Sequence, residues 1–158
     1  MFDVSEIRAD FPILAREVNG KPLVYLDNGA SSQKPEVVID AVTHAYKYEY
    51  ANVHRGLYYL SNLATEKYES VRGVVARFLN ASDENEIVLN SGTTEGINMV
   101  AYAWAMEHLK QGDNIVLSVM EHHANIVPWH FLRERTGIEL KWVDIDDYGN
   151  LNPQSVID

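Results

Sequence analysis

Between residues 86 and 143, short apolar runs alternate with segments of helical periodicity, and this alternation constrains the fold more than any other feature of the chain. Residues 86–90 read as a strand, 94–110 as a helix, 114–118 as a strand, 124–136 as a helix and 139–143 as a strand. Such a succession predicts parallel strands joined by helical crossovers, an α/β fold. Gly112-Asp113 and Thr136-Gly137 punctuate the two helix-to-strand connections, as helix stops should.

Upstream the pattern is less regular. Val4 to Asp10 reads as a short amphipathic helix ended before Pro12, and Leu23-Val24-Tyr25-Leu26 as a brief strand followed by the turn-rich Asp27-Asn28-Gly29-Ala30-Ser31-Ser32. From Pro35, a helix is marked by Val38, Ile39, Val42, Ala45 and Tyr46. A further helix runs from about Leu63 to Leu79, with Val71, Val74, Val75, Phe78 and Leu79 as its expected buried stripe. Asn152 and Pro153 look like a helix start just before the last residue, Asp158, so the chain is expected to be truncated or to belong to a split or degraded protein.

Composition excludes several classes. Hydrophobic residues make up 46% of 158 positions, enough for a core, and no apolar run is long enough to span a bilayer. The first residues, with Asp3, Glu6 and Asp10, lack a signal peptide's basic and apolar regions, so a cytoplasmic location is the default expectation. A formal charge of −10, from 23 acidic and 13 basic residues spread along the chain, argues against nucleic-acid affinity. The absence of cysteine rules out a disulfide, a thiolate metal site and a cysteine nucleophile on this polypeptide.

The chemistry concentrates at the ends of the predicted strands. Ser91-Gly92-Thr93-Thr94-Glu95-Gly96-Ile97-Asn98 joins a strand to a helix whose apolar positions are Ile97, Val100, Ala101 and Trp104. A helix start exposes unpaired N–H groups and carries partial positive charge, so it favours a phosphate. Thr93 and Thr94 can add hydroxyls, and Gly92 permits close backbone approach. The plainer alternative is a Thr that only caps the helix.

A second group, Met120-Glu121-His122-His123-Ala124-Asn125, follows the next strand. Parallel strands leave both loops at their carboxyl ends, where open α/β sheets bind ligands. A zinc site here would need further ligands such as His108 or His130, and no metal is expected. An imidazole from His122 can instead stack on a flat ring and move a proton near neutral pH. Both histidines in a purely structural role is the competing reading.

Six motifs in order resolve these alternatives: Arg8-Ala9-Asp10-Phe11-Pro12, Val24-Tyr25-Leu26-Asp27, Gln33-Lys34-Pro35, Val53-His54-Arg55-Gly56, Gly92-Thr93-Thr94-Glu95-Gly96-Ile97-Asn98 and Met120-Glu121-His122-His123-Ala124-Asn125-Ile126-Val127-Pro128-Trp129. Together they resemble the N-terminal part of group II cysteine desulfurases and selenocysteine lyases, pyridoxal-phosphate (PLP) enzymes of the class V aminotransferase family. The resemblance implies an α/β fold of PLP fold type I, the large domain of aspartate aminotransferase, here incomplete. Residues 1–22 would form an N-terminal segment on the small-domain side of the parent, and 23–158 the N-terminal part of the cofactor-binding large domain.

Carried over residue by residue, the resemblance assigns Gly92, Thr93 and Thr94 to the cofactor phosphate, and His122 to stacking on the pyridine ring and proton transfer. Asn28, Gly29 and Ala30 match the loop beside the substrate; His54 and Arg55 match a segment near the dimer interface and active-site mouth, or form a solvated basic pair. It further implies a homodimer, L-cysteine or L-selenocysteine as substrate, and a sulfur-acceptor protein of the Suf system as partner, serving iron–sulfur cluster assembly.

Two positions depart from the pattern. Relatives usually carry two alanines where Gly29 and Ala30 stand, and a basic residue where Ser91 stands. The chain also lacks the Schiff-base lysine in its Ser-X-His-Lys setting and the persulfide-forming cysteine. The expectation is therefore a parent enzyme converting L-cysteine to L-alanine and an enzyme persulfide, with the 158 residues alone inactive. Rival readings are another class V enzyme, such as a kynureninase-like hydrolase or an aminotransferase, and a non-catalytic fragment or binding module.

Overall fold

The computed structural model describes residues 3–156, which divide into two compact units at Ile87 and Val88. In the first unit, Asp3 caps α1 (Val4–Ala9) by accepting from the N–H groups of Ser5 at 2.8 Å and Glu6 at 3.4 Å. A two-residue hairpin pairs β1 (Glu17–Val18) with β2 (Lys21–Pro22), turned by Asn19 and Gly20 at φ 54° and 71°. Two successive positive φ values suit an Asn-Gly turn. Residues 23–26, expected as a strand, pair with no neighbouring strand among the described residues.

α2 (Glu36–His44) continues into a π turn over Ala45–Glu49, and its start is tied to the end of α1 by the Glu36 N–H donating to Asp10 O at 2.8 Å. α3 (Tyr59–Leu79) starts four residues earlier than the apolar pattern predicts and ends at Asn80 in the left-handed conformation. Its expected stripe is not buried: Val71, Val74, Phe78 and Leu79 are exposed, Phe78 at 87%. Val38, Ile39, Val42 and Tyr46 of the preceding helix are exposed as well. Amphipathic periodicity reports a face meant for a partner, and within this unit these faces have little to pack against.

The second unit is built on one strand–helix–strand crossover. β3 (Asn114–Ser118) pairs in parallel with β4 (Glu139–Val143), from Asn114 opposite Glu139 to Ser118 opposite Val143. α6 (Val127–Thr136) connects them and closes at Gly137, whose φ of 76° few other residues would tolerate. Residues 87–90 run without a ladder partner among the described residues, so the third predicted parallel strand is absent. A strand is defined by its neighbour, and sequence periodicity cannot supply one.

The helix after residue 92 runs as α4 (Thr93–Met99), a π turn over Val100–Ala105, and α5 (Met106–His108). Ala105, Leu132 and Ile138 form the buried centre of this unit, with Met106, Leu109, Ile115, Trp129 and Leu140 packed around them. Asn152 caps the final 3-10 turn as expected, accepting from the Gln154 N–H at 3.1 Å.

Candidate functional site

The fold brings Gly92, Thr93, Thr94 and His122 around one hollow of about 470 Å³, together with Ser91, Glu95, Ile97, Glu121, Ala124 and Asn125. On one side is the start of α4. Gly92 adopts φ 144° and ψ 172°, backbone open to glycine and strained for other residues, and a Cβ there would meet nothing within 4 Å. No side chain caps the helix. The approach to it is held instead by Asn90 Oδ1, which accepts from the Gly92 N–H at 2.9 Å, and by Glu95, which accepts from the Ser91 N–H at 2.7 Å and from the Ser91 hydroxyl.

That arrangement differs from a simple Thr cap. Glu95 sits three residues into the helix and folds back on Ser91, much as the acidic residue of a capping box does. Ser91's hydroxyl and N–H hold the Glu95 carboxyl below its ordinary value. The hydroxyls of Thr93 and Thr94 take part in no hydrogen bond among the described residues, and the first-turn N–H groups have no capping side chain. Donors without acceptors at a helix start are what an anion requires.

On the other side, the loop after β3 carries His122. Its Nδ1 accepts from the Ala124 N–H at 3.1 Å, which places the hydrogen of the neutral ring on Nε2. His122 and His123 meet edge to face, with centroids 6.2 Å apart. Glu121 accepts from the Ser118 hydroxyl and from Asn125 Nδ2, each at 2.8 Å, and Asn125 Oδ1 accepts from Trp129 Nε1 at 2.9 Å. These bonds, Asn125's ahead of Ser118's, keep the Glu121 carboxyl below its ordinary value.

The remaining site candidates lie in the first unit. Asn28, Gly29 and Ala30 form a turn closed by the Ala30 and Ser31 N–H groups on Asp27 O, at 3.2 and 3.0 Å, and by the Ser32 hydroxyl on Asn28 O at 3.3 Å. His54 has φ 69°; its N–H donates to Thr65 Oγ1 at 2.9 Å, and its Nε2 lies 3.0 Å from Glu69 Oε1. Ser61, fully buried, accepts from the Gly56 N–H at 3.0 Å and donates to Asn52 O at 2.6 Å. Segment 52–56 is thus fastened to α3 by two hydroxyls, while the Arg55 side chain makes no ion pair among the described residues.

Histidines considered as metal ligands are otherwise engaged: His108 stacks on Trp104 with its Nδ1 2.7 Å from Trp104 O, and His130 lies beside Trp142. No group of three or more potential ligands occurs among the described residues, and no helix there is long and apolar enough to cross a membrane. Of the residues that hold these two loops, Asn90 carries no signal in the sequence, and Glu95, Glu121 and Asn125 enter it only as members of motifs, with no cofactor or catalytic role of their own. The four-residue spacing of Glu121, Asn125 and Trp129 was the available signal, obscured by a loop where helical spacing carries no warrant.

Residues 24–158 match the model of the class-V aminotransferase family. The chain belongs to that family. Its α/β architecture is accordingly that of PLP fold type I, represented here in part. A cysteine desulfurase of Salmonella typhimurium is 54% identical over 155 residues, covering 98% of this chain and 38% of that protein. A probable cysteine desulfurase of Mycolicibacterium paratuberculosis is 52% identical over 151 residues, covering 96% of this chain and 22% of that protein. Among solved structures, the apo cysteine desulfurase of Thermococcus onnurineus NA1 superposes with a TM-score of 0.84 at 37% identity, over 98% of this chain and 37% of that one. The chain therefore spans well under half the length of these relatives.

Proposed function

We propose that the chain is the N-terminal portion of a PLP-dependent cysteine desulfurase, which converts L-cysteine to L-alanine and an enzyme persulfide. One observation carries the reading: an uncapped helix start with two uncommitted hydroxyls shares a hollow with His122, in a sequence 54% identical to a cysteine desulfurase. The residues fit the cofactor. Thr93, Thr94 and the N–H groups after Gly92 would hold its phosphate, and the His122 imidazole would support its ring.

When bound, PLP supplies the electron sink for bond cleavage next to the amino group. This chain's residues supply placement. Thr93 and Thr94 would donate hydroxyl hydrogens to its phosphate, holding that end with little freedom. His122 presents a ring face and holds a proton at Nε2, because Nδ1 is occupied by the Ala124 N–H. Asn28, Gly29 and Ala30 line the substrate, and His54 with Arg55 border the active-site mouth in a homodimer. Residues 1–22 belong to the small-domain side and 23–158 to the large domain.

The lysine that carries the cofactor and the cysteine that takes the sulfur stand outside this sequence, so the 158 residues alone are inactive. The sulfur passes to an acceptor protein of the Suf system for iron–sulfur cluster assembly in the cytoplasm, and L-selenocysteine serves as a second substrate. The test is sulfide release from L-cysteine with dithiothreitol, using a full-length protein that carries this chain as its N-terminal part. Turnover of kynurenine without turnover of cysteine would replace this reading with a hydrolase.

A further inference from the structure

We propose that Glu121 and Asn125 are positioning residues for His122, because a one-way chain of hydrogen bonds from Ser118 and Trp129 into the Glu121 carboxylate sets the loop that presents the imidazole. The direction of the chain follows from the chemistry of its members. Trp129 Nε1–H can only donate, so Asn125 must turn Oδ1 toward it at 2.9 Å. Nδ2 of Asn125 then points to Glu121 Oε2 at 2.8 Å and also can only donate. Glu121 is left to accept, which it does as a carboxylate, taking the Ser118 hydroxyl at 2.8 Å on its other oxygen. Reversing any amide in the series would set donor against donor.

The network ties a loop to the packed parts on either side of it. Ser118 ends β3, and Trp129 belongs to α6 and packs on the buried Ala105, Leu132 and Ile138. Between these anchors lie only residues 119–128, including His122. The loop's own bonds, Ala124 N–H to His122 Nδ1 at 3.1 Å and Asn125 N–H to His122 O at 2.7 Å, meet the network at Asn125. Displacing the Asn125 side chain therefore moves the residue whose N–H holds the His122 carbonyl, and with it the adjacent Ala124 N–H that occupies Nδ1.

The cofactor half of this inference rests on the proposed function; the positioning half does not. In the full-length protein, nitrogen-15 NMR of labelled histidine reads the His122 tautomer, and the visible circular dichroism of bound PLP reads the hold on its ring. Asn125→Asp sets two carboxylates against each other and is expected to abolish both the pure Nε2–H signature and the dichroism. Adding Glu121→Gln provides an amide donor to the new carboxylate at position 125, which still accepts from Trp129, and is expected to restore both signals. Glu121→Gln alone retains them, since the Ser118 hydroxyl can invert and accept.

An unchanged His122 tautomer in Asn125→Asp, or failure of the double variant to recover it, overturns the positioning role. If the tautomer follows the expected pattern while the dichroism stays constant in every variant, positioning stands and the assignment of His122 to the cofactor ring fails.

Discussion

Removing the Ser61 hydroxyl isolates the clamp that fastens residues 52–56 to α3. In Ser61→Ala the Cβ survives, which matters because a Cβ at Gly56 would stand only 2.5 Å from Ser61 Cβ, and the close approach at that point is unaltered. What disappears is one oxygen that accepts from the Gly56 N–H at 3.0 Å and donates to Asn52 O at 2.6 Å. A donor left unsatisfied costs about 1–3 kcal/mol. At 1.36 kcal/mol per tenfold, local opening becomes about 5- to 160-fold more frequent. Hydrogen exchange resolved by residue is the assay, with Gly56 as reporter. The His54 amide, held by Thr65 Oγ1, provides the comparison, and Thr65→Val should release His54 in the same way. If the Gly56 amide exchanges at its original rate in Ser61→Ala, the Ser61 hydroxyl does not hold the segment and the two-hydroxyl clamp on residues 52–56 is refuted.

Three further outcomes are expected. Gly29→Ala should stabilise the first unit by about 0.4–1 kcal/mol by restricting the unfolded chain, since Gly29 lacks a positive φ and a Cβ there meets nothing within 4 Å; a lower urea midpoint would contradict this. Replacing Thr93 and Thr94 by Val in the full-length protein should weaken PLP binding by about 1.5–3 kcal/mol per hydroxyl, measured by equilibrium titration, and unchanged affinity would remove their phosphate role. Asn150's side chain, then its N–H, holds the Asp146 carboxyl below its ordinary value. The ionised form is the one bound in the fold, so the unfolded chain protonates first; this contribution is complete above the ordinary carboxylate pKa and is lost as pH falls through the lower folded value. Following the Asp146 carboxyl carbon by NMR during acid titration should place its midpoint below that of an unstructured Asp, and an ordinary midpoint would contradict the bonding described.

Local signals were read well where local chemistry decides the outcome. The crossover from Asn114 to Val143, the stop at Gly137 and the Asn152 cap each depend on residues close in sequence, and each is present. Pairing was not legible in the same way. Residues 23–26 and 86–90 carry apolar strand-like sequences, yet a ladder requires a second strand, and neither segment belongs to a sheet among the described residues. Periodicity likewise marked the apolar faces of α2 and α3 without showing whether anything covers Val38 or Phe78. The hairpin at Asn19-Gly20 is carried by turn chemistry, since its two-residue strands are too short to display alternation. At the site, Gly92, Thr93, Thr94 and His122 were visible by residue type. Glu95 and Glu121 were less visible, because their parts depend on which donors the folded loops bring to their carboxylates.

The π turn at Val100–Ala105 bears on how such a site can change. Its closing bond runs five residues back, from the Met106 N–H to Ala101 O, so one turn of the helix takes up an extra residue between the threonines that open it and Ala105, which is buried in the unit's core. One residue corresponds to about 100° of helix rotation. Because the turn absorbs that residue, deleting one inside it would restore ordinary α pitch and leave Thr93 and Thr94 facing nearly the same way relative to the packed end, whereas the same deletion elsewhere in the helix would swing them by about that angle. The turn thus keeps the anion-facing start of the helix in phase with its core-facing end although one extra residue lies between them.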